Sequence, residues 1–379
     1  MRLTMGIRGL WGAAVATLLA CGNADVPASE GRAAPSTEFD AAVSAEGGDA
    51  ACANEQGLTY VCGLVHPEDL AVLGSTGLIL ASGQRRPDTP TGRIHLVDPA
   101  TGAVAELVHS PSFREDHDAG TFPDCPGPLN RDSFAAHGMS VEEITPQRFS
   151  VHTVSHGARE AVEAYELDLT GPAPSLVWIG CVPLPSDGYF NGIVRLSDGG
   201  FVVTRMRDAE PGPRAARDGP AATGALFEWH PGRALVRLPD TELVSPNGID
   251  VSPDERFLYV AQSALGNLVR FDRTTAPMER HVVSLPVSPD NVHWGRPGKL
   301  LTVGANPQAT EPCGEAGCAR GWSVVEVDVQ SWSVTRVGGA DASAVMQRVS
   351  AAVELDGEIW VSTHTGDRIA RFPRPVAGS

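Results

Sequence analysis

Asn247-Gly248-Ile249-Asp250-Val251-Ser252-Pro253-Asp254-Glu255-Arg256-Phe257-Leu258-Tyr259-Val260 reads as a polar lead-in, a short strand, a turn and a second short strand. Short apolar runs bounded by Gly, Pro, Asp and Ser carry that reading. The cadence is heard first at His66-Pro67-Glu68-Asp69-Leu70, continuing through Ala71 to Gly83, and again from Asn191-Gly192-Ile193-Val194 to Val203. A looser copy starts at Asp290-Asn291-Val292. Taken from their polar starts, units begin near His66, His137, Asn191, Asn247, Asp290 and Val349. Most units end on an apolar-x-apolar strand and then an acid, as in Ile94-His95-Leu96-Val97-Asp98 and Val269-Arg270-Phe271-Asp272. Repeats of roughly 40 to 70 residues, each with about four short strands, match propeller blades better than solenoid turns. The fold class is therefore all-β, a six-bladed β-propeller. The sixth unit lacks an outer strand, and Leu58-Thr59-Tyr60-Val61 is expected to supply it, closing the ring and removing the exposed edges.

Composition agrees with that class. Of 379 residues, 41 are Gly and 30 are Pro, and long runs at helical spacing are nearly absent. The formal charge of −17 excludes nucleic acid as a partner, because phosphate binding needs a basic face. Residues 1–20 carry Arg2 and Arg8 ahead of a short apolar core, which describes an export signal and not a membrane span. Leu18-Leu19-Ala20-Cys21 resembles a bacterial lipobox, so Cys21 is expected to carry a lipid, and the absence of Asp after it points to the outer membrane. Residues 21–56 read as a flexible tether, and 57–379 as the propeller.

Six cysteines remain beyond Cys21, an even number that suits disulfides in an exported protein. Cys313 with Cys318 closes a small loop, Cys52 with Cys62 is the next plausible pair, and Cys125 and Cys181 then remain; spacing alone does not fix the pairing. Zinc is the rival use, but no CxxC is present and no His lies close by. Two stretches interrupt the repeat, Ser110 to Ala136 and Arg205 to Thr223, and both read as inserted loops.

Blade starts converge on one axis in a propeller, and Glu68, Asn191, Asn247, Asp290 and Asn291 all stand at such starts. Ca²⁺ takes six to eight oxygen ligands from carboxylates, amide carbonyls and water. Two carboxylates balance its charge and three amides fill the shell; the lack of Cys and His in the set favours a hard cation. One Asn-Gly alone is a turn signal; the weight lies in the repetition.

These residues carry a resemblance. From about His66 to Phe372 the chain resembles the paraoxonase/arylesterase family, within the wider superfamily of gluconolactonases and senescence marker protein. The matching segments are Pro67-Glu68-Asp69-Leu70, His137-Gly138-Met139-Ser140, Val154-Ser155-His156, Phe190-Asn191-Gly192-Ile193-Val194, Asn247 to Asp254 and Asp290-Asn291-Val292. The resemblance implies a catalytic Ca²⁺ held by Glu68, Asn191, Asn247, Asp290 and Asn291, a dyad of His137 and His156 above it, and hydrolysis of lactones and aryl esters. It also implies a second, structural Ca²⁺, for which Asp69 and the Met139 carbonyl are available while Gly192 stands where an Asp is expected. The family's disulfide between the chain ends lacks a partner, because no cysteine follows Cys318.

The chemistry is coherent with these roles. An imidazole titrating at about 6.5 can take a proton from water at neutral pH, which suits His137, with His156 orienting or relieving it. A metal-activated water with another base is also compatible. No Gly-x-Ser-x-Gly elbow supports a serine mechanism. Two further readings stand beside the lactone/aryl-ester hydrolase: a gluconolactonase-like sugar lactonase, and a non-catalytic propeller whose Ca²⁺ is structural. The partner is a small lactone or ester in the enzymatic readings, and the membrane is touched only through Cys21.

Overall fold

Short apolar strands punctuated by Gly and Asp leave no room for long helices. The computed structural model describes residues 52–375 apart from 56, 88, 90, 209–221, 223 and 307–319, and its only helical pieces among these are two three-residue 3₁₀ turns. Everything else of regular structure is strand. Six antiparallel sheets form, with first strands Pro67–Val72, Ala135–Thr145, Gly188–Arg195, Pro246–Val251, Ser288–Trp294 and Val349–Leu355. Each first strand touches the first strand of the sheet before and after it, and the sixth touches the first, so the six line a common axis. The chain is a six-bladed β-propeller.

The ring is closed by the segment expected from the sequence. Thr59–Cys62 pairs antiparallel with Arg368–Pro373, Tyr60 opposite Ala370 and Val61 opposite Ile369, and becomes the outer strand of the sixth blade. Cys52 is bonded to Cys62, which pins the last residues of the expected tether against that blade. Cys125 is bonded to Cys181. Cys313 and Cys318, the export signal, Cys21 and nearly all of the tether lie outside the described residues.

The repeated acid after the third strand has a local cause. Asp98, Asp168, Asp272 and Asp328 each accept from the backbone N–H two residues on, at 2.8 to 3.0 Å, and so set the turn into the fourth strand. Of the two interruptions, the first does more than fill a gap. Arg114–Glu115 adds a parallel edge strand to the second blade, and Phe122 stacks on Trp229 of the third. Most of the second interruption lies outside the described residues.

Candidate metal centre and histidine pair

All six first strands break register with their neighbour at the same height. The breaks fall between Pro67 and Leu70, Ala136 and Met139, Phe190 and Ile193, Pro246 and Ile249, Pro289 and Val292, and Val349 and Ala352. Each break leaves two residues out of the ladder. Around the ring those pairs are Glu68-Asp69, His137-Gly138, Asn191-Gly192, Asn247-Gly248, Asp290-Asn291 and Ser350-Ala351. Backbone groups released by the bulges are taken up by hydroxyls on the second strands. Asp69, Gly192 and Ala351 donate their N–H to Ser82, Thr204 and Ser362, at 2.9 to 3.0 Å. Thr204 and Ser362 in turn donate to the carbonyls of Asn247 and Glu68 on the next blade.

Asn-Gly is therefore not a turn here; both copies sit inside strands. The glycine is demanded by close approach. A Cβ on Gly138 would meet Asn191 O at 2.4 Å, one on Gly192 would meet Asn247 O at 2.6 Å, and one on Gly248 would meet the Asn291 Cα at 2.4 Å. These three contacts press blades two to five together at the hub.

This construction brings Glu68, Asn247, Asp290 and Asn291 together and sets Asn191 at the matching break of the third blade. Glu68, Asn191, Asn247 and Asn291 are buried, and Asp290 is half-buried. Asn291 donates from Nδ2 to Glu68 Oε1 at 3.1 Å, and Asp290 is hydrogen-bonded to the Asn247 side chain. Asn247 spends its Nδ2 on Ser263, and Asn191 spends its own on Met206 Sδ. Glu68 Oε2, Asn191 Oδ1 and Asn247 Oδ1 are left as buried acceptors with no partner. Unpaired buried acceptors cost about 1–3 kcal/mol each. Burial, with the charges of Asp69 and Asp290 adding to it, pushes the Glu68 carboxyl well above the usual range. Burial likewise pushes Asp290 up to about 7. Among the described residues no three His, Cys, Asp or Glu side chains gather as a metal site by themselves. The set is two carboxylates plus amide oxygens, and its oxygen character fits Ca²⁺ rather than zinc.

The histidines stand beside it. His137 Nε2 lies 3.5 Å from Glu68 Oε1, and His137 Nδ1 lies 2.8 Å from His156 Nε2. His156 closes the second strand of its blade, and its Nδ1 lies 2.6 Å from Glu160 Oε1 across the hairpin. Tyr189 stacks on His156 with centroids 4.3 Å apart, reaches His137 Nδ1 with its hydroxyl at 3.3 Å, and is covered by the Arg207 guanidinium. Burial holds His137 well below its ordinary pKa, with the charges of His156, His364, Arg86 and Arg207 adding to it. The neutral form of the imidazole is thus favoured.

Asp69, expected at a second ion, already has three partners. Asp69 accepts from the backbone N–H of Leu70 and of Met139, both at 2.8 Å, and pairs with His293 Nε2 at 2.7 Å. Burial alone would lower His293, but the charge and hydrogen bond of Asp69, with Asp250 behind, raise it. His293 already occupies Asp69 Oδ1. Nor is Gly192 merely a missing acid, since the Asn247 carbonyl leaves no space there for any side chain.

Tyr189, Glu160, Arg86 and His293 escaped the sequence reading. Glu160 follows His156 by four residues, which means nothing until a hairpin is known to fall between them. Tyr189 directly precedes Phe190-Asn191, and its lead-in position was a usable sign.

Residues 182–297 match the model of the SMP-30/gluconolactonase/LRE-like region, a span that holds Asn191, Asn247, Asp290 and Asn291 but not Glu68 or the histidines. No curated protein matches the chain. A luciferin-regenerating enzyme is similar in structure over 85% of this chain and 98% of its own, with a TM-score of 0.53 at 12% identity. A gluconolactonase from Xanthomonas campestris is similar over 84% of this chain and 89% of its own, with a TM-score of 0.50 at 17% identity. Both likenesses concern the fold.

Proposed function

We propose that this chain is a calcium-dependent hydrolase of lactones and aryl esters. The observation that carries the reading is the trio of buried, partnerless oxygens on Glu68, Asn191 and Asn247, with Asp290 and Asn291 beside them and a neutral imidazole 3.5 Å from Glu68. Glu68, Asn191, Asn247, Asp290 and Asn291 would hold the ion, and Ca²⁺ supplies polarisation of the substrate carbonyl and stabilisation of its developing negative charge. His137 takes a proton from water through Nε2 as the water oxygen bonds to the carbonyl carbon. As the ring or ester C–O bond breaks, the same nitrogen returns that proton to the departing oxygen. One water is consumed and no other reactant is needed. His156 and Tyr189 keep the His137 ring in place.

The match of residues 182–297 also supports a sugar lactonase, as a narrower alternative. Export with a lipid on Cys21 remains part of the proposal, supported by the two disulfides, which suit an oxidising compartment. Hydrolysis of phenyl acetate and of a simple δ-lactone, with EDTA and with Ca²⁺ restored, is the test. Loss of both activities in EDTA and recovery with Ca²⁺ is expected. Turnover of gluconolactone alone would favour the narrower alternative, and Ca²⁺ binding without any turnover would refute an enzyme.

A further inference from the structure

Glu160 lies outside the expected dyad, yet it is joined to it. The hairpin Gly157 to Glu160 folds the carboxylate back onto the residue that ends the second strand, so that Glu160 Oε1 lies 2.6 Å from His156 Nδ1. Its other oxygen, Oε2, is buried without a partner. The neighbouring cation does not neutralise it, because Arg159 is held by both oxygens of Glu163, at 2.8 and 2.9 Å.

We propose that Glu160 is a positioning residue that fixes the proton pattern of the histidine pair and leaves His137 Nε2 bare toward Glu68. The inference rests on His137 being the base of the proposed hydrolysis.

The argument is one of hydrogen-bond inventory. A carboxylate only accepts, so His156 Nδ1 must carry the proton shared with Glu160. A neutral imidazole carries one N–H, which leaves His156 Nε2 as an acceptor. The 2.8 Å contact is then a donation from His137 Nδ1 to His156 Nε2. His137 has spent its single N–H, and its Nε2 presents a lone pair on the side of Glu68. Without Glu160 either tautomer of His156 is open, and half of the arrangements place a proton on the nitrogen that has to receive one. The carboxylate also steadies the charge that appears when His137 gains its proton, since the Nδ1 proton can shift toward His156 while the Nδ1 proton of His156 stays against Glu160. Tyr189, flat against His156, prevents the ring from turning away.

Two measurements test this. The first is proton NMR of the metal-free protein, in which a carboxylate-bound imidazole N–H gives a far-downfield resonance. We expect it in the wild type and expect it to be lost or moved upfield in Glu160→Gln; its absence from the wild type, or its persistence unchanged in the variant, would overturn the proposal. The second is kinetic. Glu160→Gln should lower kcat by about tenfold to a hundredfold with KM and Ca²⁺ affinity unchanged. Glu160→Asp, which keeps the charge, should recover part of the rate. A fall in kcat with the resonance unchanged would make Glu160 structural only. Because the resonance is read without metal or substrate, a chain that hydrolyses nothing refutes the proposed function and leaves the proton pattern separately tested.

Discussion

Replacing Gly248 with Ala should uncouple calcium binding from folding in a measurable way. The new methyl would meet the Asn291 Cα at 2.4 Å and the Val292 N at 2.6 Å, whereas ordinary contact begins near 3.4 Å. All the near atoms are backbone, so no side chain can swing aside. The strand bearing Asp290 and Asn291 must retreat by about 1 Å from the strand bearing Asn247. Ca²⁺–oxygen distances span only about 2.3–2.6 Å, so a displacement of that size takes two donors out of reach at once. Affinity should fall at least about tenfold, or about 1.4 kcal/mol. Overpacking should cost a further stability of about 1–3 kcal/mol. Calorimetric titration of Ca²⁺ into EDTA-stripped protein, paired with urea unfolding, reads both numbers. Gly171→Ala, where the nearest atom to a Cβ is 3.6 Å away, is the control and should change neither. A Gly248→Ala protein that is destabilised but binds Ca²⁺ as tightly as the wild type would refute the claim that hub spacing sets the donor geometry.

Removing His293 as Ala leaves Asp69 with backbone donors but no cation, and the loss of one half of a buried pair should cost about 3–5 kcal/mol by urea unfolding. The wild type should take up one Ca²⁺ per chain, and a titration reaching two would contradict the reading that His293 fills the second place. Burial holds His95 and His152 down to about 3, against about 6.5 in an unfolded chain. A histidine with a lowered folded pKa lets the unfolded chain bind more protons, so its stabilisation is whole above about pH 6.5 and drains away as the pH falls toward 3. Each histidine should account for about 2 kcal/mol between pH 6.5 and 5. Urea midpoints across that range should therefore fall less steeply for His152→Gln than for the wild type, and parallel curves would sink the idea. Opening the Cys125–Cys181 bond by a double Ser substitution frees a loop with a sequence separation of 56 residues and should cost about 4 kcal/mol in the chain-entropy view. A loss below about 1 kcal/mol would show that the outer packing of Phe122 on Trp229 holds the segment unaided.

What could be read from the sequence was whatever the repeat states more than once. Glu68, Asn191, Asn247 and Asp290 occupy equivalent points of four units, with Asn291 directly after the last, and that the period repeats the position made them legible. Thr59–Cys62 was legible because the sixth unit was one strand short. Singular features were not. Nothing about Gly192 in isolation says that the Asn247 carbonyl lies 2.6 Å from where its side chain would be. His293 reads as a strand residue until Asp69, more than two hundred positions earlier, is seen against it. The hydroxyls of Ser82, Thr204 and Ser362 belong to the repeat, yet they look like ordinary strand residues unless the bulge they serve is known.

The clasp between Thr59–Cys62 and Arg368–Pro373 has a consequence for biogenesis. The earliest strand of the propeller waits for the last one made, so no nascent intermediate possesses a finished ring. Until Ile369 and Ala370 arrive, Tyr60 and Val61 face the surroundings as a sticky, unpaired ribbon. A product that stops before Arg368 is thus predicted to be cleared by proteases rather than to accumulate as an open ring, which makes arrival of that strand the quality checkpoint.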